Sequence, residues 1–127
     1  MIEYNKEELE KAIFLLSNII VKCEKMQLKF LEGTSQYSLL KNRIKALYIS
    51  KSLISGDESI NYTSKELNDA LPPVVSIINK TTKAQSKYEK GSLQFNRFEP
   101  TIQAMLISKA YIESQINTGL ANFERKI

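Results

Sequence analysis

Apolar residues recur along this chain by alternating steps of four and three. The first run reads Leu9, Ile13, Leu16, Ile20, Cys23, Gln27 and Phe30. A second run reads Leu67, Leu71, Val74, Ile78, Thr81, Gln85 and Tyr88. This spacing keeps one stripe on one face of a helix and predicts a packing seam of heptad type. No stretch alternates apolar and polar residues as a half-buried strand does.

The starts of these helices carry capping chemistry. Asn5 is a good N-cap residue and Glu8 follows at capping-box spacing; Thr63 and Glu66 repeat the pair. Tyr4 with Leu9, and Tyr62 with Leu67, occupy hydrophobic-staple positions. Gly33 and Gly91 stand where a left-handed residue is wanted to end each helix. A second helix is expected to begin near Ser35 or Gln36, and its counterpart between Ser92 and Asn96. Asn96 and Glu99 again have capping-box spacing, which puts Pro100 in a first turn, where a missing donor costs little. The second helix presents a wide inward stripe of Leu39, Leu40, Ile44, Ala46, Leu47, Ser50, Leu53 and Ile54. Gly56 ends it, and Gly56 to Asn61 forms a linker. The fourth helix is expected to end near Asn117 to Gly119, with a short tail.

These parallels extend over the whole chain. Shifted by 58 residues, 2–54 lies on 60–112 without a gap, and 19 of 53 positions are identical. Chance matching would give about three or four. The register points to a tandem duplication. One local rule is broken, because Pro72 and Pro73 replace Phe14 and Leu15 inside the third helix. Each lacks an N–H and crowds the preceding turn, so a kink or break is expected at Ala70 to Pro73. A kink is favoured, since the seam continues through it.

The elements predict an all-α fold: an antiparallel up-down-up-down four-helix bundle made of two tandem-duplicated helical hairpins. One domain spans 1–127, with repeat 1 at 2–58 and repeat 2 at 60–116.

Composition narrows the chemistry. The chain has 127 residues, 43% hydrophobic and 25% charged, as in an ordinary globular domain. Apolar runs such as Ala12 to Leu16 are too short to cross a bilayer, and no basic segment leads into an apolar one. Neither a membrane span nor a secretion signal is therefore expected. The single cysteine, Cys23, cannot form an internal disulfide, which fits a cytoplasmic location. No histidine is present. That removes the usual general base and every His-dependent triad, and it argues against a zinc site. No catalytic residue, metal site or cofactor is assigned. The net charge of +4 is mild and selects neither nucleic acid nor an acidic partner.

Three candidate sites remain. Gln27 and Gln85 lie on the seams, and Arg43 and Glu99 are expected level with them near the loops. The four are read as one polar cluster, with Gln36 and Gln94 of the adjoining turns as further ligand candidates. The simpler reading is a satisfied network that fixes helix register. Lys22, Lys25 and Lys29, repeated as Lys80, Lys83 and Lys87, form stripes opposite the seam. They are nucleic-acid candidates, or simply solvated faces. The loop segments from Gly33 and Gly91 lack the second glycine and the Lys-Ser/Thr of a phosphate-binding loop. Cys23 reads as a small buried hydrophobe.

The leading expectation is a non-catalytic bundle that binds a protein partner or itself, such as a regulator, an antidote or immunity protein, or a phage accessory protein. Nucleic-acid binding through the lysine stripes is the first alternative, and a small-ligand site at the loop end is the second.

Overall fold

The computed structural model describes residues 3–57 and 59–126, with side chains as far as Gly119. Ile2, which the repeat pairs with Ile60, and Glu58 of the expected linker lie outside the described residues. The chain forms four helices: α1 (Lys6–Gln27), α2 (Ser35–Ile54), α3 (Ser64–Gln85) and α4 (Leu93–Lys126). No strand occurs among the described residues.

The helices form a four-helix bundle. Each packs on the two beside it, α1 on α2, α2 on α3, α3 on α4 and α4 on α1. One diagonal is also in contact, α2 against α4, whereas α1 and α3 bring no described Cα atoms within 8 Å of each other. Leu16, Leu47, Val74, Met105 and Ile112 are fully covered at the centre. Each contributes about 1.5–3 kcal/mol through the apolar surface it removes from water. Ser50 and Ser108 are equally covered. Their hydroxyls donate to the carbonyls of Ala46 and Ala104, both at 2.8 Å. A hydroxyl satisfied within its own helix needs no partner across the interface. These four small residues therefore sit in the dry interior and let neighbouring helices approach closely.

The expected caps at Asn5 and Thr63 are present. Asn5 Oδ1 accepts from Glu8 N at 2.8 Å, and Asn5 N donates to Glu8 Oε1 at 3.3 Å. Thr63 and Glu66 exchange the same two bonds, both at 3.1 Å. The end of α2 is a Schellman motif. Gly56 has φ 73°, its N–H donates to Leu53 O, and Asp57 N donates to Ser52 O, both at 3.2 Å.

Several expected boundaries move. The seam reaches Phe30, but α1 stops at Gln27. Beyond that point Leu28, Phe30 and Leu31 are exposed, so burial no longer rewards further turns. Gly33 (φ 93°) and Gly91 (φ 89°) do adopt the left-handed conformation. They do not end α1 and α3, however; they lead directly into the N-caps that follow. Thr34 Oγ1 accepts from Tyr37 N, and Ser92 Oγ from Phe95 N, both at 3.2 Å. The Ser92 cap starts α4 at Leu93, so Asn96 and Glu99 form no capping box and Pro100 falls in the second turn. Asn96 Nδ2 instead reaches back to Gly91 O at 3.5 Å.

At its far end α4 continues past Gly119 to Lys126. One glycine costs a helix about 1 kcal/mol, too little to stop it. In α2, Leu39 is exposed and Ile49 is buried, so the inward stripe centres on Leu40, Leu47 and Ile54. Finally, α3 runs unbroken through Pro72 and Pro73.

Candidate functional site

The expected polar cluster near the loops divides into two unconnected pairs. Gln85, the last residue of α3, is buried; its Nε2 donates to Glu99 Oε1 at 2.7 Å and to Phe95 O at 3.2 Å. Its position just before the Gly91 turn limits its reach to the first turns of the helix that follows. Arg43 lies near the middle of α2, and its Nη2 crosses to Ser76 Oγ of α3 at 3.5 Å. Glu99 therefore does not compensate Arg43. Gln27 is half-buried and joins neither pair, while Gln36 and Gln94 are exposed on the first turns of α2 and α4. Gln36 Oε1 accepts from the neighbouring Ser35 hydroxyl at 3.3 Å.

All six candidate lysines, Lys22, Lys25, Lys29, Lys80, Lys83 and Lys87, are exposed. They do not behave as one surface. Lys22 and Lys80 come to the rim of a pocket of ≈ 390 Å³ that all four helices line, and the other four do not. Arg43 and Cys23 line the same pocket, as do their counterparts at the offset of 58, Thr101 and Thr81. Burial pushes the Cys23 thiol above its ordinary value, and the Arg43 charge offsets part of that rise. The thiol is thus protonated and inert at neutral pH, as expected of a small core residue.

Two larger grooves run along the sides of the bundle. One, of ≈ 720 Å³, lies between α1 and α4. Ala12, Leu15, Ala104 and Ile107 line it, with Phe14 beside them 66% exposed. Its other walls carry Glu7, Glu8, Glu10 and Glu99, with Lys11 the one cation lining it among the described residues. Lys6 and Lys11 pair with Glu10 and Glu7 at 3.8 and 3.4 Å. Those contacts are solvent-exposed and worth well under about 1 kcal/mol, so the groove keeps an acidic face.

The second groove, of ≈ 680 Å³ between α2 and α3, uses corresponding positions: Ala70, Pro73, Ala46 and Ile49. Its charges are balanced, with Lys45 and Lys65 set against Glu66 and Asp69. Pro72 and Pro73 stand there in place of Phe14 and Leu15.

Periodicity does not find the α1–α4 groove, because Phe14 lies off the seam. The available signal was a large aromatic at a position the helix does not need for its core. Among the described residues, no three His, Cys, Asp or Glu side chains are grouped to hold a metal ion. No helix among the described residues is long and apolar enough to cross a membrane. No family model matches the chain, and no curated protein or solved structure matches it either.

Proposed function

We propose that this chain is a non-catalytic helical-bundle protein that docks a basic amphipathic helix of a partner protein in the α1–α4 groove. The observation that carries this reading is the reversal of local charge. The chain as a whole bears +4, yet this groove offers four carboxylates against one lysine around an apolar floor. Helix-in-groove recognition needs an apolar trough for the buried face and complementary charge at its edges. Phe14 supplies an exposed aromatic anchor of the kind that dominates such interfaces. The α2–α3 groove, with prolines at the matching positions and balanced charge, is a built-in control.

A role as a regulator, an antidote or immunity protein, or a phage accessory protein in the cytoplasm fits this mode of action. The two hairpins are read as copies of one ancestral hairpin, packed antiparallel in up-down-up-down order as one domain. Support comes from helix bounds that repeat at the offset of 58, Lys6–Gln27 with Ser64–Gln85, and from the paired capping boxes.

The test uses a labelled peptide of about 18 residues, with leucines at helical spacing and lysines elsewhere, and a Leu/Glu peptide of the same pattern. Fluorescence anisotropy should show binding of the lysine peptide only. Phe14→Ser or Glu10→Lys should weaken it about tenfold, and Pro72→Ser should not. Equal binding of both peptides, or binding indifferent to Phe14→Ser, would overturn the proposal. So would a concentration-dependent dimer abolished by Phe14→Ser, because the occupant would then be a second copy of the chain.

A further inference from the structure

The pocket between α1 and α3 has a different character and shares no lining residue with the α1–α4 groove. We infer that it binds a small organic phosphate, with the phosphoryl oxygens on Arg43 between Lys22 and Lys80.

Three observations converge. The lining carries Lys22, Lys80 and Arg43, and no Asp or Glu is among the described residues that line it. Glu24, next to Cys23 in sequence, accepts from Tyr48 Oη at 3.5 Å and does not line the pocket. Three cations gathered without an acid repel one another, and a dianion relieves that repulsion. Second, the Arg43 guanidinium is under-used. Its Nε is buried and finds no acceptor among the described residues, and its Nη2 makes one contact at the 3.5 Å limit of a hydrogen bond. A charged donor shut away without an acceptor is costly, and an anion held in the pocket offsets the delocalised guanidinium charge even though Nε itself is covered. Third, Ile19, Ile77, Ala84 and Phe98 supply an apolar lining for the body of the molecule.

Shape decides between a small molecule and a nucleic-acid strand. At ≈ 390 Å³ the pocket falls within the range of small-molecule sites. A strand needs a track of cations, but Lys25, Lys29, Lys83 and Lys87 lie outside the lining.

Pyrophosphate and phenyl phosphate are the probes. The chain has three arginines, Arg43, Arg97 and Arg125, so the Arg43 Nε–H cross-peak is assignable in a nitrogen–proton NMR spectrum of the intact protein. Both probes should shift that peak saturably, and phenyl phosphate should also perturb the Phe98 ring. Arg43→Met should abolish binding, and Lys22→Met or Lys80→Met should weaken it about fivefold to tenfold. Lys83→Met, outside the pocket, should leave it unchanged.

Should Arg43→Met fail to fold, the Lys22→Met and Lys80→Met pair, both at exposed positions, decides the matter. The inference is overturned if neither probe shifts the Arg43 peak, or if sulfate at equal ionic strength shifts it as much. Equal weakening by Lys83→Met overturns it too, as does an oligonucleotide that binds more tightly than either probe and depends on Lys25 and Lys83. Because Phe14 and Glu10 lie outside the lining, the peptide result and the phosphate result can fail separately.

Discussion

Gln85 Nε2 donates to Glu99 Oε1 at 2.7 Å and to Phe95 O at 3.2 Å, so one side chain both closes α3 and positions the beginning of α4. Gln85 is only 6% exposed, and Glu99 is half-buried. Gln85→Leu therefore strands a partly desolvated carboxylate. The variant should lose about 1–3 kcal/mol in urea denaturation, and adding Glu99→Leu should recover much of that loss. A double-mutant cycle with no coupling would show that the contact is idle.

The two prolines of α3 give a prediction of opposite sign. Pro72 and Pro73 lie inside a continuous helix and deprive the carbonyls of Asn68 and Asp69 of their intrahelical partners. Pro72→Ala with Pro73→Ala restores both donors. The double variant should be more stable, by up to about 3 kcal/mol per site where the carbonyls are poorly solvated. An unchanged thermal midpoint would mean that water already satisfies both groups.

Exposure separates Phe14 from its neighbour Leu16. Leu16→Ala opens a cavity at a fully covered site and should cost about 2–5 kcal/mol. Phe14→Ser removes a side chain that is mostly in water and should change stability by less than about 0.5 kcal/mol. That contrast makes Phe14→Ser a fair binding variant. A large stability loss would instead make Phe14 part of the core.

Glu66 links the second capping box to pH. The Thr63 backbone N–H bonded to it at 3.1 Å holds its carboxyl below the ordinary glutamate value. Burial opposes that shift, and Lys45 at 3.5 Å reinforces it. The folded chain thus binds this proton more weakly than the unfolded chain does. The resulting stabilisation is complete above the unfolded-state value and disappears as pH falls through the folded one. An NMR titration should find the Glu66 carboxyl below the glutamate norm, and Lys45→Met should raise it. A normal or elevated value would contradict the capping geometry.

Two glycines test the backbone account. A Cβ at Gly56 or at Gly119 would meet nothing within 4 Å, and only Gly56 has positive φ. Gly56→Ala should therefore destabilise by about 1–2 kcal/mol through strain alone. Gly119→Ala should stabilise α4 by about 0.5–1 kcal/mol. Equal effects would refute the assignment of Gly56 as the helix-ending residue.

Short-range chemistry was the most readable part of the sequence. The bonds at Asn5 with Glu8, and at Thr63 with Glu66, depend on residues three apart, and their spacing announces them. Repeated fours and threes likewise announced α1 and α3, and with the wide stripe of α2 they marked much of the interior, Leu16, Ile20, Leu47 and Val74 among them. What stayed hidden depends on neighbours from other helices. The seam through Phe30 looks continuous, but Leu28 and Leu31 stay in water and Phe30 is only partly covered, so α1 ends at Gln27. Asn96 and Glu99 have the right spacing for a box, yet the Ser92 hydroxyl caps α4 first. Arg43 and Glu99 were expected at similar levels along the bundle, but Gln85 claims Glu99 and Arg43 points to Ser76. Level along an axis carries no information about rotation around it, and rotation decides which polar groups meet.

The open diagonal also has a consequence for the pocket. α1 and α3 bring no described Cα atoms within 8 Å of each other, so side chains of the shared core, Leu16 and Val74 among them, fill the space between that pair. The girth of the pocket therefore follows the size of its lining side chains, and a substitution at its rim would alter that girth while Leu47 and Met105 stay packed.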